Sequence, residues 1–501
     1  MKNKIYIIVI LSVLFSCSDF LEENPNSFLA PQAIRSEADV NNFFSGVMGR
    51  FASGNYYSLH YYYLTEGTTD MLTIRTSDEE RTDLDRYTWK TDNSRIERVW
   101  RECWTIVANA NNLLEGIENA EGLTDEFKNN FKSATRFARA YVYFDLVRLF
   151  DGVPIIESPV KGADEILGAT RNSRSEVLNF VREELEAIED SYTNDWNQDH
   201  VFDGYPTKWG AKATLTAVYL TLSGNEYNEN RWQDAADKAK EIINEGPFQL
   251  VDYSELFLVN NKNNQECIFS IQSHRNRFAT ASRPGGSRMG NQRGDGGLPI
   301  AREEIMDLWE DTDLRKASTF LTEIENILAD GTSGGIVTYD IWTPNNFPFV
   351  AKWTSSGKAP MDFFSDARRD RTNFIVYRLG DILLMHAEAE NETNGPGLAE
   401  TSLNRVRTRA SLPPLNGLGQ SDFREAVRNE RTLELSYEMK RRHDLIRWGI
   451  LTETIRNNDP AAGENVQEHH KYYPIPQNDF DLLLDFEGQE GYEQERTNEE
   501  E

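Results

Sequence analysis

Residues able to do chemistry concentrate in three places. The first is Ser273–Gly294, which holds Arg275, Arg277, Arg283, Arg288 and Arg293 without one acid, a charge of +5 in a chain whose 53 Lys and Arg against 82 Asp and Glu leave −29. A guanidinium offers a planar fork matched to carboxylate or sulfate. Arg275, Arg283 and Arg288 are therefore candidate contacts to an anionic ligand; neutralising the protein's own acidic surface, or touching a protein partner, accounts for the same run. The second is Asn55–Tyr63, NYYSLHYYY, followed by Asp70, Arg75, Arg81, Tyr87 and Trp89. Aromatic rings stack on the apolar faces of sugars, and polar side chains meet hydroxyls. Tyr61, Asp70, Arg75 and Trp89 are candidate ligand contacts, the alternative being tyrosines that pack the first helix or a short strand. The third is Glu430, Glu434, Glu438, Arg441, Asp444 and Arg447, at three- and four-residue spacings on one predicted helix. Paired carboxylates equip a glycosidase. Beside Leu433, Tyr437 and Trp448 they read better as a partly buried ion network, with Glu438 pairing Arg441 and Arg442, and Arg441 pairing Asp444.

Other catalytic patterns fail in detail, and no catalytic residue is assigned. Gly331-Thr332-Ser333-Gly334-Gly335 matches G-x-S-x-G, but that elbow needs a strand before it and a helix after. Here a helix-like Glu323–Ala329 precedes and a strand-like Ile336–Tyr339 follows. His386-Ala387-Glu388 is not a zinc motif, and His469-His470 reads as a surface pair rather than a metal site. No cofactor is expected; acidic loops leave calcium open but show no EF-hand spacing. Three cysteines are too few for a disulfide scaffold, and Cys103 and Cys267 read as separate buried thiols. The acidic balance repels phosphate backbones, so nucleic acid is not an expected partner.

The N-terminus reads MKNKIYIIVILSVLFSC. Lys2 and Lys4 precede an apolar run too short to span a bilayer. A Cys after Ser16 resembles a bacterial lipobox. Residues 1–16 are the expected signal peptide, Cys17 the lipidated residue and 17–30 an acidic tether; two or more acyl chains anchor stably. Residues 493–501 read as an acidic tail.

The elements that must position these residues are mostly helices. Apolar residues recur at i, i+3, i+4 over Ser94–Glu118, Ser133–Phe150, Ser175–Glu189, Lys208–Ser223, Arg231–Glu245, Tyr377–Asn391 and Ser421–Gly449. Ser173 and Glu176 form a capping box. Paired helices with short turns and small residues at packing positions predict a mainly α fold of tetratricopeptide-like hairpins forming a solenoid. Long irregular inserts, Asn55–Thr91 and Cys267–Phe374, carry a few short β-strands (Cys267–Ile271, Ile336–Trp342), and loops on a rigid scaffold usually carry function.

Four ordered segments resemble the SusD/RagB family of Bacteroidota surface lipoproteins: Arg139–Pro154, with its Phe150-Asp151-Gly152-Val153-Pro154 end; Pro206–Leu220; Tyr377–Ala389 with Leu403–Ala410; and Glu430–Trp448. Tyr473-Pro474-Ile475-Pro476 also matches. The resemblance implies an N-terminal region over 31–260 and a C-terminal region over 261–492, packed as one unit. It further implies an outer-membrane lipid anchor, exposure at the cell surface, and oligosaccharide binding, or peptide binding in some branches. The implied partner is a SusC-like TonB-dependent transporter, with no catalysis. A non-catalytic scaffold lipoprotein and a surface glycan hydrolase are the competing readings. The chain departs from the family at Met439, where glycine is usual, and at Arg442, where an aromatic is usual.

Overall fold

An amphipathic helix cannot bury its apolar stripe alone, and here each helix buries it against the next. The computed structural model describes residues 31, 34–74, 78–162, 169–272, 299–327, 333–338, 349–350, 352 and 373–480. In chain order the helices used below are α1 (Glu37–Phe51), α2 (His60–Thr65), α3 (Glu79–Arg86), α4 (Ser94–Asn119), α5 (Asp125–Phe150), α6 (Arg174–Ile188), α7 (Asn194–Asp199), α8 (Lys208–Ser223), α9 (Trp232–Glu245), α10 (Leu314–Thr319), α11 (Leu379–Asn394), α12 (Pro396–Arg409), α13 (Gln420–Glu434) and α14 (Arg441–Arg447).

Helix α4 packs on α5, α5 on α6, α6 on α8, α8 on α9, α9 on α11, and α11 on both α12 and α13. This is the tetratricopeptide-like solenoid that the helical periodicity predicts. Gly210 on α8 packs against the Phe137 ring of α5, where an added Cβ would only just reach contact, 3.5 Å from the ring. The capping box of α6 forms as read, Ser173 and Glu176 each satisfying the other's backbone N–H. Helix α5 ends at Phe150, Asp151 follows with φ 66°, and a Cβ on Gly152 would lie 2.2 Å from the Asn172 carbonyl oxygen, so the chain can only turn there with glycine.

Between α9 and α11 the chain leaves along one strand and returns along another. Cys267–Ile271 and Phe374–Arg378 pair antiparallel, Cys267 opposite Arg378 and Ile271 opposite Phe374, and α11 begins at the next residue, Leu379. Residues 272–373 are therefore an insertion hung from a two-stranded ribbon. Cys103 and Cys267 are both free and buried.

Several elements differ from the sequence reading. Helix α5 starts at Asp125, capped by Thr124, eight residues before Ser133. The expected helix over Tyr377–Asn391 divides into a strand end and α11, because Phe374–Arg378 is buried on both faces and shows no alternation. Glu323–Ile327 is a strand, not a helix, and pairs antiparallel with Ser333–Thr338. Ser333 itself begins the second strand of that hairpin, where an elbow would need a helix, so the G-x-S-x-G match is not a nucleophile elbow.

The largest departure is at Ser421–Gly449. Helix α13 stops at Glu434, and Tyr437 and Met439 both take left-handed backbone, φ 62° and 61°. Met439 thus occupies, without a glycine, a conformation that costs a side-chain-bearing residue about 1–2 kcal/mol. Its side chain is buried, and burial of a methionine is worth about 1.5–3 kcal/mol, which outweighs that cost. Arg442 is also accommodated: its guanidinium lies 4.8 Å over the Tyr473 ring and donates to Thr68 Oγ1 and to the His470 carbonyl.

Cys17, the tether before residue 31 and the tail after residue 480 lie outside the described residues. Among the described residues no helix is long and apolar enough to cross a membrane.

Candidate ligand-binding surface

The break after Glu434 decides which charges meet. Glu434 accepts from Arg315 Nη1 at 3.0 Å and from Arg378 and Arg409. Glu438 accepts from Arg378 Nε at 2.9 Å and from Lys352 Nζ at 2.8 Å. Glu266 accepts from Arg378 at 2.9 Å and Arg409 at 3.1 Å. Glu430 pairs with Arg315 at 2.6 Å and Arg407 at 2.8 Å. A buried ion network is present, but not with the partners expected. Glu438 meets Arg378 and Lys352 instead of Arg441 and Arg442, and Arg441 meets Asp70, because α13 and α14 are separate helices rather than one. The network binds insertion residues Arg315 and Lys352 to the end of α13 and so fixes the base from which the insertion rises. Burial alone would raise these carboxyls; the surrounding guanidiniums instead hold Glu434 well below the ordinary carboxylate range, and Glu438 below it. Oxygens so occupied are poor candidates for acid–base catalysis.

The structure brings Tyr61, Asp70 and Trp89 into the interior. Tyr61 donates to Asp145 Oδ1 at 2.7 Å and lies 3.2 Å from His443 Nε2. Asp70 accepts both prongs of Arg441 at 2.9 and 2.7 Å. Trp89 is 7% exposed and packs against Tyr87, His470 and Tyr473. Tyr61 and Trp89 pack in the interior, and the carboxylate of Asp70 is taken by Arg441. Arg75, Arg275, Arg283 and Arg288 lie outside the described residues.

Beside this cluster, Glu66 is fully buried. Its Oε1 accepts from the Lys440 backbone N–H at 3.2 Å, and its Oε2 has no hydrogen-bond partner. Desolvation pushes its carboxyl up to about 8. A carboxyl raised in the folded state keeps its proton while the unfolded chain loses one, so stability declines as pH rises from about 4.5 to 8. Glu66→Gln removes that titration. Urea denaturation is expected to show the variant gaining on the native protein by about 1–2 kcal/mol across that window; parallel pH profiles would contradict it.

A half-exposed surface lies at the root of the insertion. Asn263 and Gln272 exchange side-chain hydrogen bonds at 3.0 Å, and Asn373 Nδ2 donates to Asn263 Oδ1 at 2.9 Å and to Gln272 Oε1 at 2.8 Å. Gln272 and Asn373 are the two ends of the insertion, so this amide cluster clasps it. After α7 the chain turns against the same cluster through Gly204, φ 87°, where a Cβ would lie 2.1 Å from Gln272 Nε2. The turn presents partly exposed His200, Phe202 and Tyr205. The His200 and Tyr205 rings stack at 4.7 Å, and His200 Nδ1 lies 2.6 Å from Asp203 Oδ2. Rings with apolar faces, amides that both donate and accept, and a carboxylate form the residue set that recognises sugar hydroxyls and CH faces. The arginine-rich stretch follows Gln272 directly in sequence. The sequence reading missed this turn; its one signal is the run of ring residues around a glycine in His200-Val201-Phe202-Asp203-Gly204-Tyr205.

Other groups are structural. Ser402 Oγ and His386 Nδ1 lie 3.0 Å apart, buried where α12 packs on α11. His470 is buried rather than on the surface. Its Nδ1 accepts the Gln467 N–H at 3.0 Å, and burial brings its ring down to about 3, so it is neutral. Among the described residues no group of three His, Cys, Asp or Glu is placed to hold a metal.

Comparison with known proteins gives two family matches in order along the chain. Residues 19–220 match the model described as starch-binding, associating with the outer membrane, and residues 300–492 match the SusD family model. The chain is 28% identical to SusD-like protein P25 of Formosa agariphila over 94% of this chain and 95% of that one. It superposes on a SusD homolog from Bacteroides thetaiotaomicron with a TM-score of 0.77 at 21% identity, covering 90% of this chain and 96% of the other. A laminarin-binding SusD-like protein gives a TM-score of 0.70 at 20% identity, with 90% and 98% covered.

Proposed function

The chain belongs to the SusD family, and from that membership we propose that it binds oligosaccharide at the outer surface of the outer membrane and passes it to a partner SusC-like TonB-dependent transporter. The observation that carries the reading is the ordered pair of family matches, one at each end of a single solenoid. The description of the N-terminal match, starch-binding and associating with the outer membrane, supports both the ligand class and the location. A Cys after Ser16, behind an apolar segment with two lysines, supports a lipid anchor at Cys17. Glycan is preferred to peptide because the root of the insertion offers partly exposed rings beside amides, and because one solved relative is described as laminarin-binding.

Within this reading the ligand meets the surface of His200, Phe202, Tyr205, Asn263 and Gln272, and Arg275, Arg283 and Arg288 supply cationic contacts to an acidic glycan. Tyr61, Asp70 and Trp89 act as interior packing and ion-pair residues rather than as contacts. Arg75 remains a ligand contact in this proposal. Replacing Arg283 and Arg288 together with alanine is expected to weaken retention by a uronic-acid or sulfated polysaccharide about tenfold or more, with thermal stability unchanged. Affinity electrophoresis reads this directly, and unchanged retention removes the arginines from the site. The delivery role is tested by purifying the tagged chain from outer membranes in mild detergent: a co-purifying TonB-dependent transporter is expected, and its absence from crosslinked membranes would contradict delivery.

A further inference from the structure

Two asparagines in the chain precede a glycine, in Asn394-Gly395 and Asn416-Gly417. Such a pair is able to modify itself. The glycine nitrogen attacks the carbonyl carbon of the asparagine side chain, ammonia leaves, and a five-membered succinimide forms. Water then opens that ring to aspartate or isoaspartate. Two groups speed the first step: a base at the glycine N–H, and a donor at the side-chain oxygen where negative charge gathers.

The loop between α12 and α13 places both at Asn416. The Gly417 N–H donates to Glu400 Oε1 at 2.7 Å, and Asn404 Nδ2 donates to Asn416 Oδ1 at 3.2 Å. The loop is held for them. Asn404 Oδ1 accepts the Leu415 N–H at 2.8 Å, and its Nδ2 also donates to the Leu415 carbonyl at 2.9 Å. Arg407 Nε donates to the Pro413 carbonyl at 2.9 Å. Groups fixed in place spare a reaction the entropic cost of assembling them. Gly417 has φ 71°, and a Cβ there would meet nothing within 4 Å, so no other part of the fold crowds the nitrogen. Asn416 and Gly417 are exposed, which admits water and releases ammonia.

Asn394 is also exposed but is placed differently. It is the last residue of α11, and the Gly395 N–H closes that helix by donating to the Asn391 carbonyl at 3.1 Å. A carbonyl oxygen is too weak a base to take the proton. Asn394 Nδ2 is tied to Glu390 Oε1 at 3.0 Å, and Pro396 begins the next helix.

We propose that Asn416 is a site of self-catalysed deamidation, with Glu400 as the base and Asn404 as the donor that steadies the side-chain oxygen. The Gly417 proton passes to Glu400 while the bond from Gly417 N to Asn416 Cγ forms. The Cγ–Nδ2 bond breaks, Glu400 returns the proton to the departing ammonia, and one water is consumed when the ring opens. Each conversion exchanges a neutral amide for a carboxylate beside Glu400, on the loop that leads into the helix carrying Glu430 and Glu434. The test is to age the folded chain, from Ser18 onward, at neutral pH and follow both asparagines by peptide mass mapping, with an isoaspartyl methyltransferase assay for isoaspartate. In urea, where the loop contacts are gone, the two sites are expected to convert at similar rates. In the folded chain Asn416 is expected to outpace Asn394 by about tenfold or more. Glu400→Gln keeps an acceptor oxygen but not the base, and is expected to slow conversion at Asn416 by about tenfold or more while leaving Asn394 unchanged. An Asn416 that stays an amide in the folded chain while converting in urea would overturn the proposal, without recourse to any variant. An unchanged rate in a folded Glu400→Gln variant would overturn it as well.

Discussion

Replacing Glu434 with alanine is expected to destabilise the protein by about 3–5 kcal/mol, the range for removing one partner from a buried ion network. Its carboxylate has no exposed surface and is shared by Arg315, Arg378 and Arg409, which come from the insertion, the return strand and α12. Truncation leaves three guanidiniums turned toward a cavity they cannot leave. The loss exceeds that from cutting an exposed pair such as Arg101–Glu97, worth roughly 0–1 kcal/mol. Urea denaturation reads the difference; a cost below about 1 kcal/mol would mean that the network contributes register without holding the insertion. A pH signature accompanies it. Glu434 titrates lower in the folded chain than unfolded, so its contribution is present above about 4.5 and is lost as pH falls through its folded value. The alanine variant is therefore expected to lose less stability on acidification than the native protein.

Asp145→Ala is expected to cost a comparable amount, about 3–5 kcal/mol. Asp145 is completely buried on α5 and accepts from the hydroxyls of Tyr56, Tyr57 and Tyr61 and from Arg148. Alanine takes the carboxylate away from three tyrosine hydroxyls and a guanidinium; Tyr57 and Tyr61 keep Tyr141 and His443 as partners, and the guanidinium is the costly loss. Tyr61→Phe deletes a single hydroxyl and keeps the ring, so it should cost only about 1–2 kcal/mol. It should also leave glycan affinity unchanged, because Tyr61 is 1% exposed. A large loss of binding in Tyr61→Phe with stability retained would return this tyrosine to the ligand site. Denaturation and binding measured on the same preparations separate the two outcomes.

How far the sequence reads correctly depends on what kind of signal a segment carries. Helices α4, α6, α8 and α9 fall within one or two residues of their expected ends: α4, α6 and α9 have a one-sided apolar stripe, α6 adds a capping box, and α8, buried nearly all round, is bounded by Thr207 and Gly224. The break after Glu434 was hidden because Tyr437 and Met439 take left-handed backbone without the glycine or asparagine that would mark it. With the break hidden, the charge spacing predicted pairs along one helix that the fold instead makes across several. Phe374–Arg378 was hidden for a different reason: a strand buried on both faces has no alternation to see. At the candidate site, NYYSLHYYY could not be separated from a binding platform, since a ring that packs and a ring that stacks on sugar look alike in sequence. Only the position of Asp145 behind Tyr56, Tyr57 and Tyr61 decides it. The amide cluster of Asn263, Gln272 and Asn373 joins residues about a hundred positions apart, and no local pattern announces such a meeting.

The most direct test of the account is a binding screen of the soluble chain, from Ser18 onward, against neutral polysaccharides, acidic polysaccharides and peptide digests, with product analysis of each mixture. Saturable retention by a glycan, with that glycan recovered uncleaved, is the predicted result, and weakening of the interaction by salt would place the arginines in the contact. Retention of peptides with no affinity for any glycan, or release of shortened sugars, would contradict it.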